Sequence, residues 1–221
     1  MLRRWDDWLK SYPRAAAAAL VLVSFLVYSG ALANGFVYDD EAQILENPFV
    51  HNPHLWSRIF TGSVWSFQGL HTNFYRPLQF SCYWVIYRLA GPNPAAFHLF
   101  QLSLYAATVV LVYLLGRRLL ENTLVAFLGA VLWALHPLHV EPVAWISALP
   151  DVGSGFFYLL ALLLFLRAEK ADCGRLRGHS FAALAFSIAL LFKEMALSLP
   201  LLLLAYWFFL LPGESRPNRA V

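Results

Sequence analysis

Long uncharged hydrophobic runs alternate with short polar segments along most of this chain. The first run, residues 15–33, follows a basic N-terminal segment, residues 1–14, and is about long enough to cross a bilayer at ~1.5 Å per residue. A signal peptide is the alternative, because Ala31-Leu32-Ala33 resembles a cleavage site, but the run is longer than a typical signal core. We therefore predict an uncleaved first transmembrane helix.

The later runs predict an all-α, multi-span membrane domain with six transmembrane helices. The five further spans are expected near residues 97–115, 123–135, 152–166, 180–192 and 195–211, before a tail at 212–221. Residues 34–96 are too polar to lie in lipid and form a long first outer loop. Within that loop, residues 77–90 are apolar but bracketed by Arg76 and Arg88, which favours a helix along the membrane interface.

Composition supports lipid as the solvent for much of the chain. Its 221 residues are 60% hydrophobic and 13% charged, and the mean hydropathy is +0.58. Soluble domains are about 45–50% apolar and about 25% charged. The net charge of +3 comes from basic residues scattered in short loops, so nucleic acid is not expected as a partner.

The distribution of basic residues predicts the orientation. Of the 16 Lys and Arg residues, only Arg58, Arg76, Arg88 and Lys193 fall on the outer side of the six-span arrangement, and the other 12 fall inside. This asymmetry follows the positive-inside rule and predicts a cytoplasmic N-terminus and a cytoplasmic tail. The same arrangement separates Cys82 from Cys173 across the membrane, which excludes a disulfide between them.

Acidic residues and histidines collect on the predicted outer side. Three consecutive carboxylates, Asp39 to Glu41, directly follow the first span, where desolvating acids is costly and a functional site is expected. Further outer residues of this kind include His98, His136, His139, Glu141, Asp151 and Glu194. Convergence of such groups on one face predicts a catalytic pocket.

Each of these motifs also has a simpler reading. The acids at 39–41 would suit a helix N-cap, although one carboxylate suffices for that. The spacing His136-x-x-His139-x-Glu141 is compatible with a divalent cation, but Pro137 and Pro142 disfavour regular geometry there. We assign no metal and predict that these groups hydrogen-bond a polar head group.

Two cations are candidates for binding phosphate. Arg76, in Tyr75-Arg76-Pro77, lies at the outer interface beside an aromatic ring and could hold a phosphate bidentately. Lys193-Glu194 interrupts a hydrophobic segment, where a charged pair normally faces protein or a cavity. The simpler readings are an interfacial anchor for Arg76 and a neutralising ion pair for Lys193 and Glu194.

Several ordered motifs resemble one known family. They are Phe36-Val37-Tyr38-Asp39-Asp40, Glu46-Asn47-Pro48, Tyr75-Arg76-Pro77-Leu78, Asn93-Pro94-Ala95-Ala96-Phe97-His98-Leu99, His136-Pro137-Leu138-His139-Val140-Glu141, Asp151 and Lys193-Glu194. Across residues 15–211 the chain resembles the N-terminal membrane portion of the transmembrane and tetratricopeptide-repeat (TMTC-type) O-mannosyltransferases and their bacterial relatives, in the GT-C superfamily.

The resemblance implies a function. Such enzymes transfer a sugar, here expected to be mannose-like, from a polyprenyl-phosphate donor to a protein or glycan hydroxyl on the lumenal or periplasmic side. It implies that Asp39 is the catalytic base, that Asp40 orients the acceptor or sugar, and that Arg76 and Lys193 neutralise the departing phosphate. The expected location is a bacterial inner membrane or the endoplasmic reticulum.

Two other function classes stay open at this stage. A non-catalytic membrane module that binds lipid-linked sugar or a partner protein fits the same segments. A transporter fits less well, because the charged groups lie at one face and not along a path through the midplane. The family normally continues into further helices and tetratricopeptide repeats, and no 34-residue repeat occurs here, so we expect a fragment or a partner chain.

Overall fold

A computed structural model describes residues 2–170 and 173–209, and all regular structure in that part of the chain is helical. The α-helices are α1 (Leu2–Ser11), α2 (Pro13–Tyr28), α3 (Pro48–His51), α4 (Pro77–Ala90), α5 (Pro94–Leu119), α6 (Thr123–Ala134), α7 (Val140–Ala144), α8 (Leu149–Glu169), α9 (Arg175–Phe192) and α10 (Leu199–Phe209). The all-α prediction is confirmed. The predicted tail, with Arg216 and Arg219, and the last two residues of the predicted 195–211 span lie outside the described residues.

Three helical segments of the described chain are long and apolar enough to cross a membrane. They are Pro13–Ala33, Pro94–Leu119 and Ile146–Glu169. A fourth crossing is available if α6 and the segment Pro137–Ala144, which meet at a bend of 53°, form one broken span. The apolar segment Glu194–Phe209 is shorter. The predicted count of six spans is therefore not confirmed and stays a prediction.

Asparagine followed by a good first-turn residue fixes where three helices begin. The side chains of Asn47, Asn93 and Asn122 accept hydrogen bonds from backbone N–H groups in the first turns of α3, α5 and α6. These bonds satisfy donors that a helix start leaves unpaired. At the other end of α4, Gly91 adopts a positive φ of 65° and lets the chain turn sharply into α5.

Small side chains point inward and large ones outward on α6. Ala126, Ala130 and Ala134 recur every fourth residue and are buried, whereas Leu128 and Leu132 on the other face are exposed. A soluble helix has the opposite pattern. Exposed leucines suit lipid contact, and inward alanines let neighbouring backbones approach closely.

The N-terminal helix α1 is amphipathic and is attached to the start of α6. The Asp6 carboxylate accepts a hydrogen bond from the N–H of Leu124 at 2.9 Å and pairs with Lys10 at 2.6 Å. Trp5 and Trp8 are exposed on α1, as expected for a helix in the membrane–water interface. The helix thereby caps α6 while presenting aromatic and basic side chains outward.

A tight hairpin of α8 and α9 brings Lys193 close to the start of α8. A Cβ atom built on Gly153 of α8 would lie 2.5 Å from the Phe192 ring, so only glycine permits this approach. Helix α9 then stops because Lys193 is extended, with φ −157° and ψ 137°. This break directs Lys193 to the first turn of α8.

Candidate active site

The acidic stretch after the first span folds into a tight turn. The N–H of Asp40 donates to the carbonyl oxygen of Val37 at 3.1 Å, and the Asp40 carboxylate accepts from the N–H of Val37 at 3.1 Å. Tyr38, at the corner, has a φ of 52°, a region that bulky residues rarely adopt and that is often strained at functional sites. The turn leaves the Asp39 side chain partly exposed, without a hydrogen bond or ion pair to the described residues.

Asp40 attaches this turn to the start of α8. Its side chain is fully buried, and one carboxylate oxygen accepts from both the backbone N–H of Ser147, at 2.7 Å, and the Ser147 hydroxyl, at 2.5 Å. The other oxygen is bonded to Val37, so both oxygens already have protein donors. Asp39 and Asp40 are neighbours in sequence with opposite environments.

Burial dominates the electrostatics of Asp40. Loss of water around its carboxylate raises the pKa of Asp40 above its ordinary value, and hydrogen bonds from Ser147 and Val37 oppose this rise without cancelling it. His98, buried in the second turn of α5, is close enough to act on Asp40 electrostatically. The predicted site residues His98 and Asp40 therefore lie near each other at the N-terminal end of α5.

Hydrogen bonds from buried glutamine and tyrosine side chains hold the segment that carries Ser147 in place. Gln79 donates to Gln43, at 2.7 Å, and to the hydroxyl of Tyr83, at 3.1 Å, and Tyr83 donates to the carbonyl oxygen of Ile146 at 2.9 Å. Gln101 donates to the carbonyl oxygens of Pro142, in α7, and of Trp145, directly after α7, at 2.6 and 2.7 Å. Such a buried network rigidifies the elements it joins.

Two ion pairs cross the same end of the helices. Lys193 pairs with Asp151, on the first turn of α8, at 2.5 Å, and Arg76, before α4, pairs with Glu194 at 3.1 Å. The Nε atom of Arg76 is buried without a hydrogen-bond partner among the described residues. Four predicted site residues are therefore joined in two pairs, each with a cation that retains free N–H groups.

A long apolar groove leads from this end toward the other end of the helices. It encloses about 650 Å³ between α5, α6 and α8 and runs along α5 from Tyr105 to Leu119, about 21 Å at the helical rise. Its polar mouth carries His139 and Asp151, and Tyr105 donates to or accepts from the Nδ1 atom of His139 at 3.0 Å.

A second cavity adjoins the groove at its polar mouth. It encloses about 290 Å³ and shares Asp151, Gly155 and Tyr158 with the groove, while Lys193 lines only this second cavity. The lysine–aspartate pair therefore lies where the apolar groove opens. Together the two cavities suit a ligand with a long apolar tail and an anionic head.

The histidine motif is only partly engaged with the site. The rings of His136 and His139 lie 5.8 Å apart, and His136 accepts a hydrogen bond from the N–H of Leu138 within its own turn. Glu141 is exposed. Within residues 2–170 and 173–209, no group of three or more His, Cys, Asp or Glu side chains is arranged to hold a metal ion.

Sequence reasoning missed residues that organise the site. Ser147 is a small residue between apolar neighbours and carries no pattern that marks it as the partner of an aspartate more than a hundred positions earlier. Nothing in the sequence indicates the positive φ of Tyr38. Tyr105 is a single tyrosine in an apolar span, so no pattern marks it. The buried Gln79 and Gln101 were detectable, because amides in apolar helices need partners.

Most of the chain is similar in sequence to known proteins. Residues 77–219 match the family model described as dolichyl-phosphate-mannose-protein mannosyltransferase. Human protein O-mannosyl-transferase TMTC1 is 36% identical over 168 residues, 73% of this chain and 19% of that protein. Drosophila melanogaster protein O-mannosyl-transferase Tmtc1 is 32% identical over 193 residues, 85% of this chain and 22% of that protein. No solved structure matches this chain.

The apolar helices, the outward leucines and the polar end with its groove define a helical membrane protein with a candidate site for an amphipathic substrate. The chain belongs to the dolichyl-phosphate-mannose-protein mannosyltransferase family, in its TMTC-type branch of the GT-C superfamily. It spans about a fifth of the length of the curated relatives that it matches.

Proposed function

We propose that this chain forms the donor-binding and base-bearing part of a membrane glycosyltransferase. The reaction transfers a mannose-like sugar from a polyprenyl phosphate to the hydroxyl of a protein, or of a glycan. The observation that carries this proposal is the apolar groove, which opens beside the Lys193–Asp151 pair. The turn that contains Asp39 and Asp40 lies at the same end of the helices, where Asp40 is bonded to Ser147. The names of the relatives support the same reaction class.

Asp39 acts as the general base in this proposal. Its carboxylate is partly exposed and unpaired within the described chain, so it is available to take the proton of an acceptor hydroxyl. The hydroxyl oxygen then bonds to the anomeric carbon as the bond from that carbon to the phosphate oxygen breaks. The electron pair of the broken bond leaves with the polyprenyl phosphate.

Asp40 has a positioning role. Both of its oxygens are bonded to the protein, and burial raises its pKa, which makes it a poor partner for substrate. Its bonds to Val37 and Ser147 close the turn and hold it against α8. The precise placement of Asp39 depends on this contact, because a base must lie within hydrogen-bond reach of the proton it removes.

Lys193 and Arg76 stabilise the leaving phosphate. Charge builds on the phosphate as the sugar departs, and cations held in place near that charge lower the barrier. Asp151 and Glu194 hold the two side chains in place while leaving N–H groups for phosphate oxygens. His98, His136, His139 and Glu141 stay candidates for sugar or acceptor contacts, His139 from the groove mouth.

The polyprenyl chain would occupy the groove between α5, α6 and α8. The reaction takes place on the lumenal or periplasmic side, opposite a cytoplasmic N-terminus, in the endoplasmic reticulum or in a bacterial inner membrane. This orientation rests on the 12-to-4 division of basic residues that the predicted spans produce.

A groove-filling variant tests the proposal. Gly155 lines both cavities, and a side chain added there meets no atom within 4 Å at its Cβ position. In the full-length protein with labelled dolichyl phosphate mannose, Gly155→Trp should raise KM for the donor about tenfold or more. Leu132→Trp, on the exposed face of α6, is the matched control. Absence of transfer by the wild type, or an unchanged KM in Gly155→Trp, would contradict the proposal.

A further inference from the structure

A separate basic cavity lies at the other end of α5 and α8. It encloses about 260 Å³ and is lined by Leu114, Arg117 and Arg118 of α5 and by Leu163 and Arg167 of α8. On each helix the leucine and its arginines are three or four residues apart and share one face. Two apolar side chains and three guanidinium groups therefore face one space.

This cavity is distant from the candidate active site. Along α8, Arg167 is 16 residues beyond Asp151, or about 24 Å at the helical rise. Along α5, Arg117 is 19 residues beyond His98, or about 28 Å. These separations approach the thickness of the hydrocarbon core, about 30 Å, so the arginines lie near the opposite membrane interface.

The three arginines have no direct ion-pair partner among the described residues. Neither Arg117, Arg118 nor Arg167 forms an ion pair with a described carboxylate, although the nearby Arg175 pairs with Glu169 at 2.8 Å. Favourable interaction with helix C-termini accounts for basic residues at these positions. It does not account for three unneutralised guanidinium groups around one cavity, where they repel each other.

Two of the arginines are also held in place. Arg118 donates to the carbonyl oxygen of Leu166 at 3.0 Å, and the Arg117 guanidinium lies 5.6 Å from the centre of the Tyr113 ring. Both side chains are half-buried, whereas Arg167 is exposed at the rim. Preorganised guanidinium groups bind phosphate oxygens strongly, often two at a time.

We propose that this cavity binds the phosphate group of an anionic membrane lipid. The guanidinium groups of Arg117, Arg118 and Arg167 neutralise the phosphate, while Leu114 and Leu163 contact the first carbons of the acyl chains. The site is independent of the proposed sugar transfer, and its occupation steadies the ends of α5 and α8, the two helices that also border the donor groove.

The test measures thermal unfolding of the purified full-length protein in detergent. Phosphatidylglycerol should raise the unfolding midpoint of the wild type by about 2–4 °C more than phosphatidylcholine does. The variant Arg117→Gln/Arg118→Gln/Arg167→Gln should lose this difference. The matched control Arg4→Gln/Arg14→Gln/Arg177→Gln, which removes three exposed charges elsewhere, should keep it.

A second arm distinguishes lipid from free anion. If inorganic phosphate, compared with chloride at equal ionic strength, reproduces the full shift without lipid, the site holds phosphate and the lipid assignment is overturned. If the pocket variant and the control respond equally to phosphatidylglycerol, the site itself is overturned. Should the triple variant not fold, the exposed Arg167→Gln alone should halve the shift, and an unchanged shift would refute the proposal.

Discussion

Asp40 and Ser147 are 107 positions apart, yet one oxygen of the Asp40 carboxylate accepts from both the backbone N–H and the hydroxyl of Ser147. This contact is buried and joins the first loop to the start of α8. Removing the hydroxyl leaves a buried carboxylate oxygen with one donor fewer, which costs about 1–3 kcal/mol.

We therefore expect Ser147→Ala to lower the unfolding midpoint by several degrees and to reduce sugar transfer, because the turn that presents Asp39 loosens. Thermal unfolding and a transfer assay measure both effects. Ser187→Ala is the control, since the exposed Ser187 donates only to a carbonyl oxygen of its own helix. Equal effects of the two substitutions would contradict the proposed role of the Asp40–Ser147 contact.

The burial of the Asp40 carboxylate should make the stability of the protein depend on pH. Because burial raises the pKa of Asp40 above its ordinary value of 3.8, the folded protein holds this proton more tightly than the unfolded chain does. That stabilisation is complete below pH 3.8 and is lost as the pH rises through the folded pKa.

The unfolding midpoint of the wild type should therefore fall relative to that of Asp40→Asn as the pH rises from about 4 to about 7. The exposed Asp7→Asn variant serves as a control and should follow the wild type across this range. A difference between wild type and Asp40→Asn that stays constant with pH would show that Asp40 has an ordinary pKa in the folded state.

Gly153 and Gly155, both in α8, test how closely α8 packs against α9. A Cβ atom on Gly153 would lie 2.5 Å from the Phe192 ring, whereas one on Gly155 meets nothing within 4 Å. Gly153→Ala should destabilise the protein by about 1–3 kcal/mol, because the ring must move. Gly155→Ala should stabilise it by about 0.5–1 kcal/mol, as expected in a helix interior. Thermal unfolding of both variants measures these changes in stability. If both substitutions stabilise the protein, or both destabilise it, the result would contradict the close approach of α8 and α9.

Substitutions at the Lys193–Asp151 ion pair should have a small effect on stability and a large effect on catalysis. Both side chains are partly exposed, so breaking the pair should cost less than about 1 kcal/mol. Lys193→Gln should nevertheless slow transfer about a hundredfold, because the leaving phosphate loses one of the two cations that stabilise it. Lys170→Gln, at an exposed position, is the control.

Reversing the pair sharpens this prediction. The variant Lys193→Asp/Asp151→Lys restores opposite charges but moves the cation to α8. We expect it to unfold near the wild-type temperature and to remain slow in transfer. Recovery of full activity in the reversed pair would mean that the pair serves stability and not the phosphate.

Much of the helical scaffold was predictable from the sequence, because hydrophobic runs and Asn-Pro starts are local signals. The predicted spans at 15–33, 97–115 and 152–166 each fall within a helix that meets the criteria for a membrane crossing. The spans at 123–135 and 180–192 correspond to α6 and α9, which do not meet those criteria as single helices. Short apolar runs depend on their neighbours, so the sequence could not decide how many cross.

The candidate site was predictable as a set of residue types at one end, but not as a geometry. The sequence could not distinguish the buried Asp40 from the partly exposed Asp39, since the difference comes from a contact with Ser147 across the fold. Nor could it indicate that Lys193 pairs with Asp151 and not with its neighbour Glu194, because the extended backbone at Lys193 decides that.

Sugar transfer by the Asp39→Asn variant is the decisive measurement for the proposed role of Asp39 as the general base. The measurement uses the full-length protein, labelled dolichyl phosphate mannose and a photoreactive donor analogue, with the neighbouring exposed Glu41→Gln as control. We predict that Asp39→Asn loses at least about a hundredfold in transfer rate while donor crosslinking and unfolding temperature stay at wild-type values. Transfer at the wild-type rate in Asp39→Asn would contradict the assignment of Asp39 as the base.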